Sequence, residues 1–301
     1  MEINEAVSSR ALAGARLTVE ELDEALAADI LSLGMLAGDV ARRQRGGVVA
    51  YRRVHVLPPT GLAAGAPAAD LASEVRVGAL PASRDEAVAA VRRARAAAGP
   101  ARAVTGYGYA ALAGRAAGGW GPLDALLADL RAAGLTDLAE LEADRVDDVG
   151  AAIDAVRAAG LRGQRVTVEG PLGDRKVAVV AAVREALASR GGIAMFAPLP
   201  VNPATDVPTT GYEDLRVVAL ARLAFGDLAP EAPPPFIGVD WSLYGPKLAQ
   251  VALTFGADFL DTVAATDEEA LGHRRSTVQD VERNVRAAGF SPVELDRQAR
   301  A

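Results

Sequence analysis

Carboxylates recur in this 301-residue chain where short apolar runs give way to turns. Glu140, Glu142 and Asp144 stand at the end of the run Leu135–Leu141, Glu169 closes Gln164–Glu169, and Asp240 and Ser242 follow Phe236–Val239. A carboxylate leaving a strand is well placed for general acid–base work. Glu169, followed by Gly170-Pro171, has the setting of a general base and equally that of a partner for a helix N-terminus. Period-two alternation puts Glu140 and Glu142 on one face as a candidate carboxylate pair, and sets Asp240 and Ser242 together with Trp241 opposed. Glu169 and Asp240 are the candidate catalytic residues. His55, Thr105, Tyr107, Glu140, Asp144, Asn202 and Ser242 are the candidate ligand contacts.

Each position also has a structural alternative. Glu140 and Glu142 suit a solvated strand end, Asn202-Pro203 suits a turn, and His55 between two valines suits an outward-facing strand position. Asp258 and Asp261 are read as braces around the last strand, because Asp readily bonds its own backbone. His273 is read as structural. With no cysteine and only two histidines, disulfides, thiolate metal sites and histidine-only metal sites are excluded. No metal and no cofactor are expected.

The elements that must position these groups alternate along the chain. Eight short apolar runs (48–56, 74–77, 101–107, 135–141, 164–169, 192–197, 236–239 and 258–263) are separated mostly by alanine- and leucine-rich amphipathic segments. Eight strand–helix units is the count of a (β/α)8 TIM barrel, an α/β fold whose sites lie at the C-terminal ends of the strands. Thr18 with Glu21, and Ser83 with Glu86, form capping boxes, and the first opens a helix running to about Arg45. An N-terminal helical segment, residues 1–47, is therefore expected before a barrel spanning 48–301 with a C-terminal helix. Glu169, Asp240 and Tyr107 then converge from the fifth, seventh and third strands. Burial there raises a carboxyl pKa unless an arginine or a metal compensates.

Net charge is −7, and no basic stripe interleaved with aromatic residues is present, which argues against nucleic acid and against an anionic membrane surface. Lys176 and Lys247 are the only lysines, so clusters such as Arg42-Arg43-Gln44-Arg45 read as solvated helix faces. No apolar run is long enough to span a bilayer or form a signal-peptide core, and the expected location is cytoplasmic.

The segment Tyr244-Gly-Pro-Lys-Leu-Ala-Gln-Val-Ala-Leu-Thr-Phe-Gly-Ala-Asp-Phe-Leu-Asp261 resembles the closing helix and strand of the radical S-adenosylmethionine (SAM) family. The branch it resembles contains aminofutalosine synthase and the cyclase of the futalosine route to menaquinone, with the deazaflavin synthases as cousins. Met195-Phe-Ala-Pro-Leu-Pro-Val-Asn-Pro203 resembles that family's sixth strand and exit, and Gly211-Tyr-Glu-Asp-Leu its next helix. The match is strongest from about 195 to 261. Gly78-Ala79-Leu80 departs from the family turn that contacts the SAM amino group, and Phe259 stands where an acidic residue is usual. The family holds a [4Fe–4S] cluster on three thiolates in a loop after the first strand. In that place this chain reads Val54 to Asp70 without a cysteine, and the first βα connection, 57–73, is shortened.

The resemblance thus implies a cluster-less relative whose chemistry is not radical. Two roles follow from it. One is small-molecule binding, of a nucleoside-like ligand, or an accessory role beside a partner enzyme in menaquinone biosynthesis. The other is a non-redox enzyme that uses the strand-end carboxylates for acid–base or hydrolytic chemistry on a polar small molecule.

Overall fold

The computed structural model describes residues 2–57, 68–69, 71–163, 165–200, 208–226, 234–265 and 276–295. Eight parallel strands close into a barrel: β1 (Val48–Leu57), β2 (Glu74–Val77), β3 (Ala103–Gly108), β4 (Asp137–Glu142), β5 (Arg165–Val168), β6 (Met195–Pro198), β7 (Phe236–Asp240) and β8 (Phe259–Ala264). Closure comes from β1, which pairs with β8 on one side and β2 on the other. The structure is a (β/α)8 TIM barrel of the α/β class.

Helices α4 (Arg84–Ala98), α5 (Tyr109–Arg115), α6 (Leu123–Ala132), α7 (Val149–Ala158), α8 (Lys176–Arg190), α9 (Gly211–Ala224), α10 (Trp241–Thr254) and α11 (Val278–Ala287) follow the strands. They bury the outward faces of the sheet under Val, Leu and Ala side chains. A smaller apolar group inside the barrel, Ala50, Met195, Ala197 and Phe259, packs across its lower half. Among the described residues no helix is long and apolar enough to cross a membrane.

Three helices precede β1: α1 (Glu5–Leu12), α2 (Val19–Ala27) and α3 (Ile30–Arg45). The single helix expected from Thr18 to Arg45 is broken, because Asp29 takes an extended conformation and its carboxylate accepts the Ser32 amide at 2.9 Å as a new N-cap. A ninth strand, β9 (Ser291–Glu294), was not legible in Ser-Pro-Val-Glu, where one apolar side chain offers no periodicity. It pairs with Val48–Tyr51 of β1 on the side where β2 pairs only with Val54–Leu57, so it fills the gap below the short second strand.

The α3 helix crosses the end of α10 at backbone distance. A Cβ on Gly38 would lie 2.5 Å from the Thr254 carbonyl oxygen, which belongs to a fixed backbone. Gly38→Ala is expected to destabilise by about 1–3 kcal/mol through overpacking, despite the helix propensity gained. Gly114→Ala, in α5 with nothing near its Cβ, is expected to stabilise by up to about 1 kcal/mol. Urea denaturation of the two variants checks the opposite signs.

Candidate functional site

A β-bulge in the last barrel strand organises the interior. Tyr51 pairs with Leu260 and Arg53 with Val263, so two residues of β8, Asp261 and Thr262, stand opposite the single Arg52. Thr262 has φ 58°, a left-handed conformation that β-branched residues seldom adopt. The consequence is that consecutive side chains both point inward, where strict alternation would have sent one out.

Asp261 is fully buried among three guanidinium groups. Its oxygens lie 3.4 Å from Arg52, 3.2 Å from Arg76 and 3.2 Å from Arg165, which arrive from β1, β2 and β5. Glu74 binds Arg52 at 2.9 Å and Arg76 at 2.7 Å, and accepts the Thr105 hydroxyl at 2.6 Å. Arg165 continues to Glu140 at 3.1 Å and comes within 4.0 Å of Asp240. Burial alone would raise the carboxyl pKa of Asp261, but Arg76, Arg52 and Arg165 outweigh it and hold the group well below the usual carboxylate range. Glu74 is lowered in the same way by Arg52 and Arg76 against its own burial.

Above this network, at the C-terminal mouth, lie Glu140, Glu142 and Glu169. One oxygen of each is within 4.8 Å of the others. Asp144 fixes the β5 exit by accepting the amides of Glu169 at 3.0 Å and Gly170 at 2.8 Å. Glu142 accepts the Ala110 amide at 2.9 Å and occupies the space left by the missing side chain of Gly108. Burial nevertheless raises its pKa. Burial also raises Glu169, helped by Glu140 and Glu142 and opposed by Arg145, to about 8. Glu140 is lowered, since Arg165 and a hydrogen bond from Glu169 outweigh its burial. The opposed shifts, Glu169 up and Glu140 down, favour a proton held between the two carboxyls, against the pull of Arg145, which approaches Glu169 at 3.3 Å.

The structure brings together most of the strand-end residues expected from sequence. Glu169 and Glu140 come within 4.8 Å of each other, and Asp240 joins them through Arg165. Asp240 is heavily engaged: it accepts the Ser242 and Leu243 amides and the Ser242 hydroxyl on one oxygen, and the Thr262 hydroxyl at 2.6 Å on the other. Thr105 faces the same network. Tyr107 does not converge with them. At φ 60° it turns out of the barrel, packs with the apolar layer beneath the helices and donates its hydroxyl to the Ala87 carbonyl. His55 is half-buried, its pKa lowered by burial and by the charge of Arg102. Asn202, His273 and most of the 57–73 connection lie outside the described residues.

Asp258 braces the start of β8 as expected, accepting the Ile237 amide at 2.7 Å and pairing with the buried Arg222 at 2.7 Å. Asp261 does not; it is the hub of the network. Sequence reading also missed Arg52, Arg76, Arg165, Glu74 and Thr262. A signal was present in charged residues set between β-branched ones, as in Val75-Arg76-Val77, since an outward position there would lie under a helix.

No family model matches the chain, and no curated protein matches it. Solved structures do. A methylornithine synthase (PylB) superposes with TM-score 0.64 at 14% identity, over 95% of this chain and 97% of that one. The FeFe-hydrogenase maturase HydG from Carboxydothermus hydrogenoformans superposes with TM-score 0.63 at 12% identity, over 95% and 78%. Both are radical SAM enzymes, and at these identities the likeness carries the fold alone. The groups inside this barrel do not fit that superfamily's cluster. The chain has no thiolate, and the interior donors are guanidinium and carboxylate groups already paired with one another. Anaerobic reconstitution with iron and sulfide is expected to give no charge-transfer absorption and no bound iron.

Proposed function

We propose that this chain is a cluster-less barrel of radical SAM type that binds a polar small molecule at its C-terminal mouth and moves a proton through the Glu140–Glu169 pair. The observation that carries the reading is the gathering of Glu140, Glu142 and Glu169 at the mouth, with one oxygen of each within 4.8 Å of the others. A carboxylic acid with a pKa of about 8 beside an ionised carboxylate gives a donor and an acceptor in one contact, poised near working pH. Asp261 and the three arginines fix the acceptor from below through Arg165, and Asp144 fixes the backbone of the donor. The chemistry within reach is proton transfer, as in an isomerisation or an acid-assisted hydrolysis. No nucleophile–base pair accompanies the acids among the residues named at this mouth, so covalent catalysis is not part of the proposal.

The substrate class comes from the sequence resemblance: a nucleoside-like molecule, with a place in the futalosine route to menaquinone. A second reading is an accessory protein that docks on a partner enzyme of that route. Leu31 and Met35, one turn apart on α3 and 69% and 70% exposed, favour such a contact.

Untargeted mass spectrometry of small molecules copurifying with the protein, repeated with Glu140→Ala and Glu169→Ala, tests the proposal. A nucleoside-like species held by the wild type and lost from both variants is the expected result. A species retained by both variants, or recovery of a protein partner with no small molecule, removes the acid–base site and leaves the accessory role.

A further inference from the structure

A large cavity lies at the opposite pole from the carboxylates. It measures about 1020 Å³ and opens between the N-terminal ends of the strands, with Arg52, Glu74, Arg76, Thr105 and Arg165 of the central network as its ceiling. That size is at the upper end for small-molecule sites. The N-terminal face of such a barrel ordinarily serves stability, so an opening this large calls for an occupant.

Its two walls differ in chemistry. On one side stand Arg95, Arg102, Arg131 and Arg162, from the ends of α4 and α6 and the approaches to β3 and β5. On the other are Met195, Phe236, Phe259 and Leu295, with the two phenylalanine rings 5.2 Å apart. The cavity is lined by seven arginines against Glu74 and Asp137, in a chain whose net charge is −7. Three of those arginines belong to the network neutralised from above. Arg162 pairs with Asp137 at 2.6 Å, whereas Arg95 is held by backbone carbonyls at Gly99, Arg102 and Gly134. Those bonds fix its guanidinium without cancelling its charge. The crowding is felt: burial lowers the Arg95 pKa, and the neighbouring Arg131 lowers it further.

We propose that this cavity is a second binding site, separate from the carboxylate mouth, for a small molecule with a flat aromatic body and an anionic group such as a phosphate. The ring lies against Phe236 and Phe259, and the anion faces the arginine wall, where guanidinium forks suit phosphate oxygens.

Isothermal titration calorimetry of the full chain with 1-naphthyl phosphate tests this, with 1-naphthol and inorganic phosphate as the separated halves. Saturable 1:1 binding is expected for 1-naphthyl phosphate, with each half at least about tenfold weaker. Arg131→Glu reverses one wall charge at an exposed residue whose one hydrogen bond, to Leu135, is 3.4 Å. It should weaken binding by about tenfold or more, and Arg131→Lys by less. Ala194→Trp, at an exposed wall position, fills the cavity and should weaken binding comparably. Glu169→Gln should leave it unchanged, which separates this site from the proton pair. Thermal melts establish that the variants are folded. Absence of saturable 1-naphthyl phosphate binding overturns the proposal, as does equal affinity for 1-naphthol, or wild-type affinity in both Arg131→Glu and Ala194→Trp.

Discussion

Asp261→Asn is expected to destabilise the protein by about 3 kcal/mol or more, the largest loss of any single substitution in the barrel interior. The carboxylate is fully buried and, among the described residues, is the one group seen to touch Arg52, Arg76 and Arg165 together. An amide of the same shape turns an N–H₂ toward at least one guanidinium and removes the charge that the three were assembled around. Buried ion pairs add little net stability when formed, yet breaking one strands the partner without water. Relief of repulsion between Asp261 and Glu74 offsets part of the loss, and the strongly lowered pKa of Asp261 shows that attraction dominates. The pH dependence follows the depressed pKa. Its contribution is present above the ordinary carboxylate range and is lost as pH falls through that range toward the folded value. Urea midpoints should therefore be flat in this respect from pH 7 to about pH 4, and between about pH 4 and pH 2 they should fall more steeply for the wild type than for Asp261→Asn. A variant within about 1 kcal/mol of wild type at pH 7 would show that the network is not held by Asp261.

The barrel was readable because its strands are short β-branched runs between capped helices, and neither signal depends on long-range packing. Glu140, Glu169 and Asp240 were readable for a related reason: each sits where a run ends, and parallel topology gathers run ends at one mouth. What failed was the placing of Tyr107 at the mouth, and Thr262 went unread. Both take positive φ, at 60° and 58°, and each such residue shifts the facing of its neighbourhood by one. A side chain with a Cβ gives no local sign that it will adopt this conformation, because the compensation comes from partners on other elements of the fold. For Thr262 these are Arg76 and Asp240, and for Tyr107 the Ala87 carbonyl. Asp261 was misread for the same cause: its role depends on three arginines distant in sequence. Arg52, Arg76 and Arg165 resemble solvated surface residues until the strand register turns them inward.

Glu169→Gln is expected to make the protein progressively more stable than wild type as pH rises. Burial and the neighbouring Glu140 push the Glu169 carboxyl up to about 8 in the folded protein, from its ordinary value of 4.5 in the unfolded chain. Between those values the folded state binds a proton that the unfolded state lacks, so wild-type stability declines with increasing pH across the window. Glutamine imitates the protonated acid, donates to Glu140 and cannot ionise. The two proteins should therefore have similar unfolding free energies near pH 5. By pH 9 the variant should lead by more than about 1.4 kcal/mol, the value of a single pKa unit. Glu140→Gln acts on the other half of the contact. It removes the carboxylate that ranks next after burial in raising Glu169, so the Glu169 titration should move back toward the ordinary carboxylate range. Carbon-13 NMR of protein labelled at glutamate carboxyls reads both changes directly. The expected spectrum has one resonance titrating near pH 8 that disappears in Glu169→Gln and shifts to lower pH in Glu140→Gln. Parallel stability curves for wild type and Glu169→Gln, together with no glutamate titrating above pH 6, would mean that no proton is shared at the mouth, and proton transfer there would have to be abandoned.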